Sequence, residues 1–381
     1  MKFVIAPDKF KGSLSGAGFC SAVEKGIRKV FPEARIIAMP MADGGDGSID
    51  VLGQLQGFEN EVLEVNDPLF RPILSRYLIH TRQRTAFVEL SEASGHKLLV
   101  SNELDCLKSS SYGTGELIRH AIEKGARHII VGLGGSATND GGMGIAAALG
   151  FRFYDRNRLE LEPIGKNLIK VAQIEIDKED HQRIRGVQFK LACDVGNPFN
   201  GPFGAAFTYA PQKGANDEQV GFLDDGLRHF AEVLRTQFEL DVNGIKGAGA
   251  AGGVAGGLAA MFNASLCSGF ELMADLIGFE DRLQGADWII TGEGKIDAQT
   301  QAGKTIQGIA QRAIEHQVPV AAFCGNVALD HIQQQALGLA FVASVLRKPC
   351  SLVEAMHQAD RDLEFTAFNF ASLLWAQMKS L

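Results

Sequence analysis

The sequence has few of the features that mark metal-binding or disulfide-stabilised proteins. Its six cysteines, at positions 20, 106, 193, 267, 324 and 350, form no Cys-x-x-Cys pair and have no histidine at zinc-ligand spacing. We therefore expect reduced cysteines in the core. The first residues contain only a short apolar run before Pro7, too short for the apolar region of a signal peptide. These absences predict a cytoplasmic protein.

The chain also lacks a basic patch and a clear membrane span. It has 37 Lys and Arg against 45 Asp and Glu, a net charge of −8, and its basic residues are scattered. This distribution argues against nucleic acid as a partner. One uncharged stretch, residues 247–270, is rich in glycine and alanine and is interrupted by polar residues, which predicts a glycine-rich loop and a close-packed helix. We expect small-molecule substrates and no membrane partner, and the oligomeric state stays open.

The order of apolar runs predicts two α/β domains, as does the length of 381 residues. Strand, loop and helix patterns alternate near both ends of the chain and predict a doubly wound parallel sheet. Short alternating runs from residue 61 onwards predict antiparallel pairs. The expected fold is a discontinuous Rossmann-like domain, residues 1–60 plus 285–381, with a mixed-sheet domain, residues 61–284, inserted into it.

The most informative segment is the glycine-rich run of residues 131–142, which follows an apolar strand pattern. Glycines let backbone amides converge, and hydroxyl groups add hydrogen-bond donors. The start of the helix predicted after the run adds a partial positive charge. The segment therefore predicts a site for a phosphate or a carboxylate, and the residues expected to form it are Gly134, Gly135, Ser136, Thr138 and Asn139.

Carboxylates follow several of the predicted strands. In open α/β sheets the ligand crevice lies beyond the carboxyl ends of the strands. Magnesium prefers carboxylate and phosphate oxygens, and a substrate hydroxyl needs a proton acceptor. The candidates for these two tasks are Asp8, Asp43, Asp46, Asp194, Glu293 and Asp297. For each one alone, the alternative is an aspartate or glutamate that caps a turn or a helix.

Four basic residues are candidates for contacts with anions. Lys11 and Lys295 share loops with carboxylates. Lys304 belongs to a run, residues 298–305, that resembles the Walker phosphate loop with Ala298 in place of its first glycine. Arg71 could bind a substrate carboxylate through two hydrogen bonds. The alternative for Arg71 is a surface arginine that stabilises a turn.

A dinucleotide site is a second interpretation of the glycine-rich run. Gly132, Gly134 and Ala137 fit the G-x-G-x-x-G/A pattern, and Asp155 follows at the spacing of a ribose-binding acid. Polar residues within the loop argue against this interpretation, because a Rossmann turn packs small apolar residues there.

Seven segments together resemble the bacterial type 1 glycerate kinase family, and they occur in the order that the family has them. The segments are residues 6–15, 41–47, 132–144, 194–198, 211–215, 247–253 and 292–297. The resemblance implies a two-domain α/β enzyme with its cleft between the domains. It also implies phosphorylation of D-glycerate by ATP with Mg²⁺, usually at the 2-hydroxyl, so that ATP and D-glycerate are the expected substrates.

Within that mechanism the candidate residues take distinct roles. Asp194 is the first choice for deprotonating the hydroxyl, and Asp43 is the second. The magnesium candidates are Asp8, Glu293 and Asp297, and the candidates for neutralising phosphate charge are Lys11, Lys295 and Lys304. Residues 134–138 would hold either a phosphate or the glycerate carboxylate. Three functional alternatives stay open: a kinase that forms 3-phosphoglycerate, an NAD(P)-dependent hydroxy-acid oxidoreductase and a metabolite sensor without catalysis.

Overall fold

A computed structural model describes residues 1–8, 10, 12–42, 44–45, 47–297 and 305–379. The chain divides into two compact units. Unit 1 consists of Met1–Asp43 and Phe270–Leu381, and unit 2 consists of Gly44–Gly269.

The described strands are β1 (Lys2–Ile5), β2 (Arg35–Ala38), β3 (Glu59–Asn66), β4 (Pro72–His80), β5 (Thr85–Glu89), β6 (His128–Gly132), β7 (Phe151–Tyr154), β8 (Gln173–Ile176), β9 (Gln188–Ala192), β10 (Ser265–Cys267), β11 (Trp288–Thr291), β12 (Lys295–Ile296), β13 (Val320–Cys324), β14 (Asn326–Val327) and β15 (Phe341–Ser344).

The described α-helices are α1 (Gly16–Arg28), α2 (Ser48–Leu52), α3 (Ser91–Ser94), α4 (Tyr112–Glu123), α5 (Met143–Ala148), α6 (Lys178–Ile184), α7 (Ala205–Tyr209), α8 (Asp217–Phe238), α9 (Val254–Phe262), α10 (Gly269–Ile277), α11 (Phe279–Leu283), α12 (Thr305–Glu315), α13 (His331–Ala336) and α14 (Leu352–Lys379). Short 3₁₀ helices cover His96–Leu98, Gly165–Lys170, Pro211–Lys213 and Val242–Gly244.

Unit 1 is built on a parallel sheet. Over the described residues this sheet has five strands in the order β15-β13-β11-β1-β2, and every pair is parallel. Helices α1 and α14 pack together on it. A side-chain carbon at Gly26 would lie 2.3 Å from the carbonyl oxygen of Glu364, so only glycine permits this close approach. The core beneath them includes Phe3, Phe19 and Phe323.

Unit 2 is built on a mixed sheet. Its order is β10-β9-β6-β5-β4-β3, in which β3, β4 and β5 pair antiparallel and β5, β6, β9 and β10 pair parallel. One apolar cluster joins the sheet to α4 and α9, and a second surrounds α8, which includes the fully buried Leu227 and Phe230. The parallel and mixed sheets confirm the predicted fold class, as does the antiparallel pairing after residue 61.

The division into units differs in position from the predicted domain boundaries at 60/61 and 284/285. Helix α2, expected with the first sheet, lies in unit 2 because Glu89 accepts hydrogen bonds from the amides of Gly47 and Ile49. Helices α10 and α11, expected in the inserted domain, lie in unit 1. Arg312 of α12 forms ion pairs there with Glu271 and Glu280. Neither contact has a signature in the local sequence.

The uncharged stretch of residues 247–270 contains a glycine-rich loop followed by α9, as predicted. Most of α9 is buried within unit 2. Within the described ranges, every helix is too short or too polar to span a bilayer.

Candidate active site

The carboxyl ends of β1 and β11 form the switch point of the parallel sheet. After β1 the chain moves to β2 on one side, and after β11 it moves to β13 on the other. Doubly wound proteins bind ligands in the crevice where the strand order diverges in this way. Ile5 is the register partner of Ile290, and Asp8 and Glu293 each follow three residues later. The structure thus brings together two carboxylates that the sequence predicted separately.

Backbone and side-chain contacts hold Asp8 at this point. Its amide donates a hydrogen bond to the carbonyl oxygen of Gly292 at 3.0 Å. Its Oδ2 accepts one from Oγ1 of Thr305, the first residue of α12, at 3.1 Å. Thr305 is buried, whereas Asp8 and Glu293 are half-buried. Both carboxylates therefore keep a face to which a ligand has access.

A magnesium ion fits the chemistry of these two residues. Magnesium is commonly held by one or two protein carboxylates and completes its shell with water and phosphate oxygens. In the part of the chain that the structure describes, no three His, Cys, Asp or Glu side chains are close enough to form an all-protein metal cage. The pair Asp8 and Glu293 suits a cation that arrives with phosphate and retains water.

Lys295 and Asp297 contact each other. The Lys295 ammonium lies 2.8 Å from Oδ2 of Asp297, and the Lys295 side chain is 59% exposed. The sequence predicted separate roles for them, in phosphate and in metal binding. In the structure the carboxylate of Asp297 orients the lysine, which lies in β12 just after Glu293.

Three candidates, Lys11, Asp43 and Lys304, lie outside the described residues, as do Asp46 and most of the Walker-like run.

In unit 2 the parallel strands end in one row. Glu89 is the register partner of Gly132, Gly132 that of Ala192, and Ala192 that of Cys267. These residues close β5, β6, β9 and β10, so the segments that follow β6 and β9 leave the sheet next to each other, about 5 Å apart. The first of these segments is the glycine-rich run, and the second contains Asp194.

A backbone amide holds Asp194 at this edge. Its Oδ1 accepts a hydrogen bond from the amide of Gly269 at 2.9 Å. Asp194 lies two residues beyond Ala192 and is exposed. A carboxylate oriented in this way can accept a proton from a substrate hydroxyl.

The glycine loop, defined as residues 133–138, presents donors that have no acceptor in the described part of the chain. Gly135 has a φ of 70°, a conformation that favours glycine, and its carbonyl oxygen accepts a hydrogen bond from the amide of His96 at 2.9 Å. Among the described residues, the amides of Gly134, Gly135 and Ser136 have no acceptor. Three successive free amides near a positive φ form a concavity for an anion.

Two side chains, one at the end of the loop and one just after it, are buried with polar atoms that no described residue contacts. Thr138 Oγ1 and both amide atoms of Asn139 make no hydrogen bond to the described part of the chain, and both residues are fully buried. Buried polar atoms nearly always have partners. These orphaned atoms therefore mark a place where a ligand or ordered water completes the structure.

The start of the helix after the loop is not open to an anion, contrary to expectation. Helix α5 has only six residues, and the carboxylate of Asp140 already caps its start. This carboxylate accepts hydrogen bonds from the amides of Gly142 and Gly144 and from the amide and hydroxyl of Ser111, at 2.7 to 3.2 Å. Burial raises the pKa of Asp140. The anion-binding capacity thus resides in the loop itself rather than in the helix dipole.

Lys213 is an unpredicted member of the site. It ends the 3₁₀ helix Pro211–Lys213 and is only 2% exposed. Its Nζ donates hydrogen bonds to Ser136 Oγ at 2.7 Å and to the carbonyl oxygen of Thr138 at 2.6 Å. Burial lowers the pKa of this ammonium to about 8. A lysine 75 residues along the chain from Thr138 has no local signal that links it to the loop.

Glu89 is a second residue that sequence analysis missed. It is fully buried at the end of β5, where it accepts hydrogen bonds from Ser91 Oγ and from the amides of Gly47 and Ile49. Burial raises the pKa of Glu89, although these hydrogen bonds act to lower it. The available signal was a carboxylate that ends an apolar strand.

Arg71 is engaged with the protein's own carboxylates. Its Nε lies 2.6 Å from Asp67 and its Nη1 lies 2.7 Å from Glu103. Both contacts raise the pKa of Arg71, that with Glu103 the more strongly. This arrangement favours the turn-stabilising interpretation over a substrate clamp.

Asp155 does not occupy the position of a ribose-binding acid. It follows β7, which pairs antiparallel with β8 and lies outside the six-stranded sheet. Its carboxylate accepts hydrogen bonds from the amides of Asn157 and Leu159. Asp155 therefore stabilises a turn. The dinucleotide interpretation is left without its ribose-binding acid.

The chain combines a doubly wound sheet, carboxylates at strand ends and a loop with unbonded amides, groups of the kind that enzymes of phosphoryl transfer use. Comparisons with known proteins agree. A model of the "Glycerate kinase family" matches residues 3–375. The chain therefore belongs to the glycerate kinase family, and it is a phosphotransferase.

Individual relatives match over nearly their whole length. A glycerate kinase of Halalkalibacterium halodurans is 41% identical over 97% of both chains. One of Bacillus cereus is 39% identical over 98% of both, and a glycerate 2-kinase of Escherichia coli is 38% identical over 100% of both. A crystal structure of a protein from Salmonella typhimurium, assigned as a glycerate kinase 2, has a TM-score of 0.88 and 38% identity, covering 100% of this chain and 99% of that one.

Proposed function

We propose that this enzyme transfers the γ-phosphoryl group of ATP to the 2-hydroxyl of D-glycerate with the help of Mg²⁺. One observation carries the proposal: an unused set of donors and an accepting carboxylate follow the same register pair, Gly132 and Ala192. Glycerate has a carboxylate that needs donors and a hydroxyl that needs a proton acceptor. The relative from Escherichia coli named as a glycerate 2-kinase supports the choice of the 2-hydroxyl.

The acceptor hydroxyl is activated by Asp194. Its carboxylate takes the hydroxyl proton as the glycerate oxygen forms a bond to the γ-phosphorus and the bond from that phosphorus to the ADP oxygen breaks. The hydrogen bond from the Gly269 amide fixes the carboxylate, so that little reorganisation is needed. No covalent enzyme intermediate is required. The product is 2-phosphoglycerate.

Charge neutralisation falls to unit 1 residues. Asp8 and Glu293 would hold Mg²⁺, which when bound neutralises the charge of the triphosphate. Lys295, oriented by Asp297, would contact a phosphate oxygen as a point charge. The roles predicted for Lys11, Asp43 and Lys304 stay part of the proposal on sequence grounds alone.

A substrate panel tests the proposal. ADP release is measured with ATP and Mg²⁺ in the presence of D-glycerate, L-glycerate, L-lactate or glycerol. We expect ADP release with D-glycerate and a much lower rate with glycerol, because glycerol lacks the carboxylate. We expect no ADP release with L-lactate, which lacks the 3-hydroxyl and has the reversed configuration. Equal turnover with glycerol would contradict the assignment of a carboxylate site.

A further inference from the structure

Lys213 is a buried cation that contacts no carboxylate among the described residues. In the described part of the chain, its Nζ donates hydrogen bonds to no carboxylate. The two acceptors it has, Ser136 Oγ and the Thr138 carbonyl, are both neutral. Burying an uncompensated charge is costly, and proteins pair such charges. Asp140 acts on this ammonium from a distance, and the ammonium has room in its electrostatic environment for an anion at closer range.

The contact with Ser136 sets the direction of its hydroxyl. A serine hydroxyl has one hydrogen to donate, and an ammonium can only donate. Because Lys213 occupies a lone pair of Ser136 Oγ, the hydroxyl hydrogen points elsewhere, and the described residues offer it no acceptor. Ser136 is therefore held as a donor, next to the free amides of Gly134 and Gly135.

The charge of the neighbourhood selects a small monoanion. Apart from Lys213, the ends of the parallel strands present carboxylates, Glu89 and Asp194, and Asp140 lies below the loop. A triphosphate bound in the glycine loop itself would place several negative charges against one ammonium. A single carboxylate matches a single ammonium.

We propose that Lys213 is a positioning residue for the carboxylate of the hydroxy-acid substrate, acting through Ser136 and the glycine loop. This inference rests on the proposed function and assigns the loop to the hydroxy acid rather than to ATP. The carboxylate binds to the amides of Gly134 and Gly135 and to the Ser136 hydroxyl, and Lys213 supplies the charge behind them.

The test compares Lys213→Met and Lys213→Gln, with Lys170→Met as a control at an exposed lysine of the same unit. We expect the KM for D-glycerate to rise about 10- to 100-fold in Lys213→Met, with the KM for ATP within about twofold of the wild-type value. Lys213→Gln keeps a hydrogen-bond donor without the charge, so its KM for D-glycerate should lie between those of the wild type and Lys213→Met. Ser136→Ala adds little to Lys213→Met, although alone it weakens glycerate binding, because the two act through one contact.

The pH profile separates positioning from a purely structural role. As the Lys213 ammonium loses its proton near pH 8, the wild-type KM for D-glycerate rises towards pH 9.5, whereas that of Lys213→Met stays flat. The other titratable groups that act on Lys213 are Cys106 and Asp140. Burial raises the pKa of Cys106 to about 11, so its thiol stays protonated over this range.

Three outcomes would overturn the inference: a rise in the KM for ATP instead, an unchanged KM for D-glycerate, or a loss of thermal stability with both KM values unchanged. A thermal-shift titration with D-glycerate gives a binding constant without turnover. If the wild type binds D-glycerate but does not phosphorylate it, the proposed function fails, and this titration still decides whether Lys213 serves the carboxylate.

Discussion

The amide of Asp8 donates a hydrogen bond of 3.0 Å to the carbonyl oxygen of Gly292. This contact joins the two segments that leave the switch point of the parallel sheet, one residue before Glu293. Backbone geometry thus fixes where the chain carries Asp8 and Glu293, and a side-chain contact with Thr305 orients the Asp8 carboxylate. A site built in this way is suited to a cation that must bind in one place.

The first prediction concerns magnesium. Asp8→Asn removes one negative charge but keeps an oxygen that can accept the hydrogen bond from Thr305. We expect the Mg²⁺ concentration for half-maximal activity to rise about tenfold or more, because one anionic ligand is lost. Activity is measured against free Mg²⁺ at saturating ATP. Asp360→Asn, at an exposed position of α14, is the control, and an unchanged Mg²⁺ requirement in Asp8→Asn would refute the metal assignment.

The second prediction concerns proton transfer. Asp194→Asn preserves an acceptor for the Gly269 amide but cannot take a proton. We expect kcat to fall on the order of a hundredfold or more with little change in stability. The matched control is Asp225→Asn, whose carboxylate is 61% exposed and pairs with Arg228. If kcat of Asp194→Asn stays within about threefold of wild type, Asp194 is not the base.

The third prediction concerns the support of the glycine loop. Asp140→Ala leaves four buried donors of Ser111, Gly142 and Gly144 without an acceptor. We expect the free energy of unfolding to fall by about 2 to 4 kcal/mol, since several unsatisfied groups outweigh relief of the buried charge. Asp155→Ala removes two turn contacts and should cost about 1 kcal/mol or less. Urea denaturation of both variants checks this, and equal losses would contradict it.

The fourth prediction concerns stability at alkaline pH. The pKa of Lys213 is about 8 in the folded protein, below its ordinary value of 10.5. Between these two values the unfolded chain binds more protons than the folded one, so Lys213 makes stability rise with pH, by up to about 3 kcal/mol. Below pH 8 both states hold the proton and the contribution is constant.

Cysteines oppose this trend, because burial raises the folded-state pKa of Cys20 and Cys324 to about 12, and such groups lower stability as the unfolded thiols ionise. The difference between wild type and Lys213→Met isolates the lysine. We expect the stability of the wild type relative to Lys213→Met to increase from pH 8 to pH 10. A difference that does not depend on pH would contradict a lowered pKa.

Local sequence patterns were sufficient to predict that the site carboxylates lie at the ends of strands. Asp8, Glu293 and Asp194 each follow an apolar strand directly, and strand ends converge in an α/β sheet. The glycine loop was predictable for the same reason. The helix after it was predicted too, but the capping of its start by Asp140 was not, because the contact of Asp140 with Ser111 arises only in the fold.

Residues whose roles depend on distant partners escaped prediction. Nothing in the local sequence distinguishes Lys213, whose hydrogen bond to Ser136 arises only in the fold. Likewise, the local sequence of Arg71 does not show that Glu103 binds its guanidinium group. Helix α2 follows the second strand in sequence, as expected, but its attachment to Glu89 assigns it to the other unit. Such contacts arise from tertiary packing and correspond to no periodic pattern in the sequence.

The central claim is the position of phosphorylation, and one measurement tests it most directly. The enzyme is incubated with ATP, Mg²⁺ and D-glycerate, and enolase, which acts on 2-phosphoglycerate, is added to a parallel reaction while ADP release is recorded. The account predicts ADP release matched by enolase-dependent formation of phosphoenolpyruvate. ADP release without that product would show phosphorylation of the 3-hydroxyl and contradict the proposal.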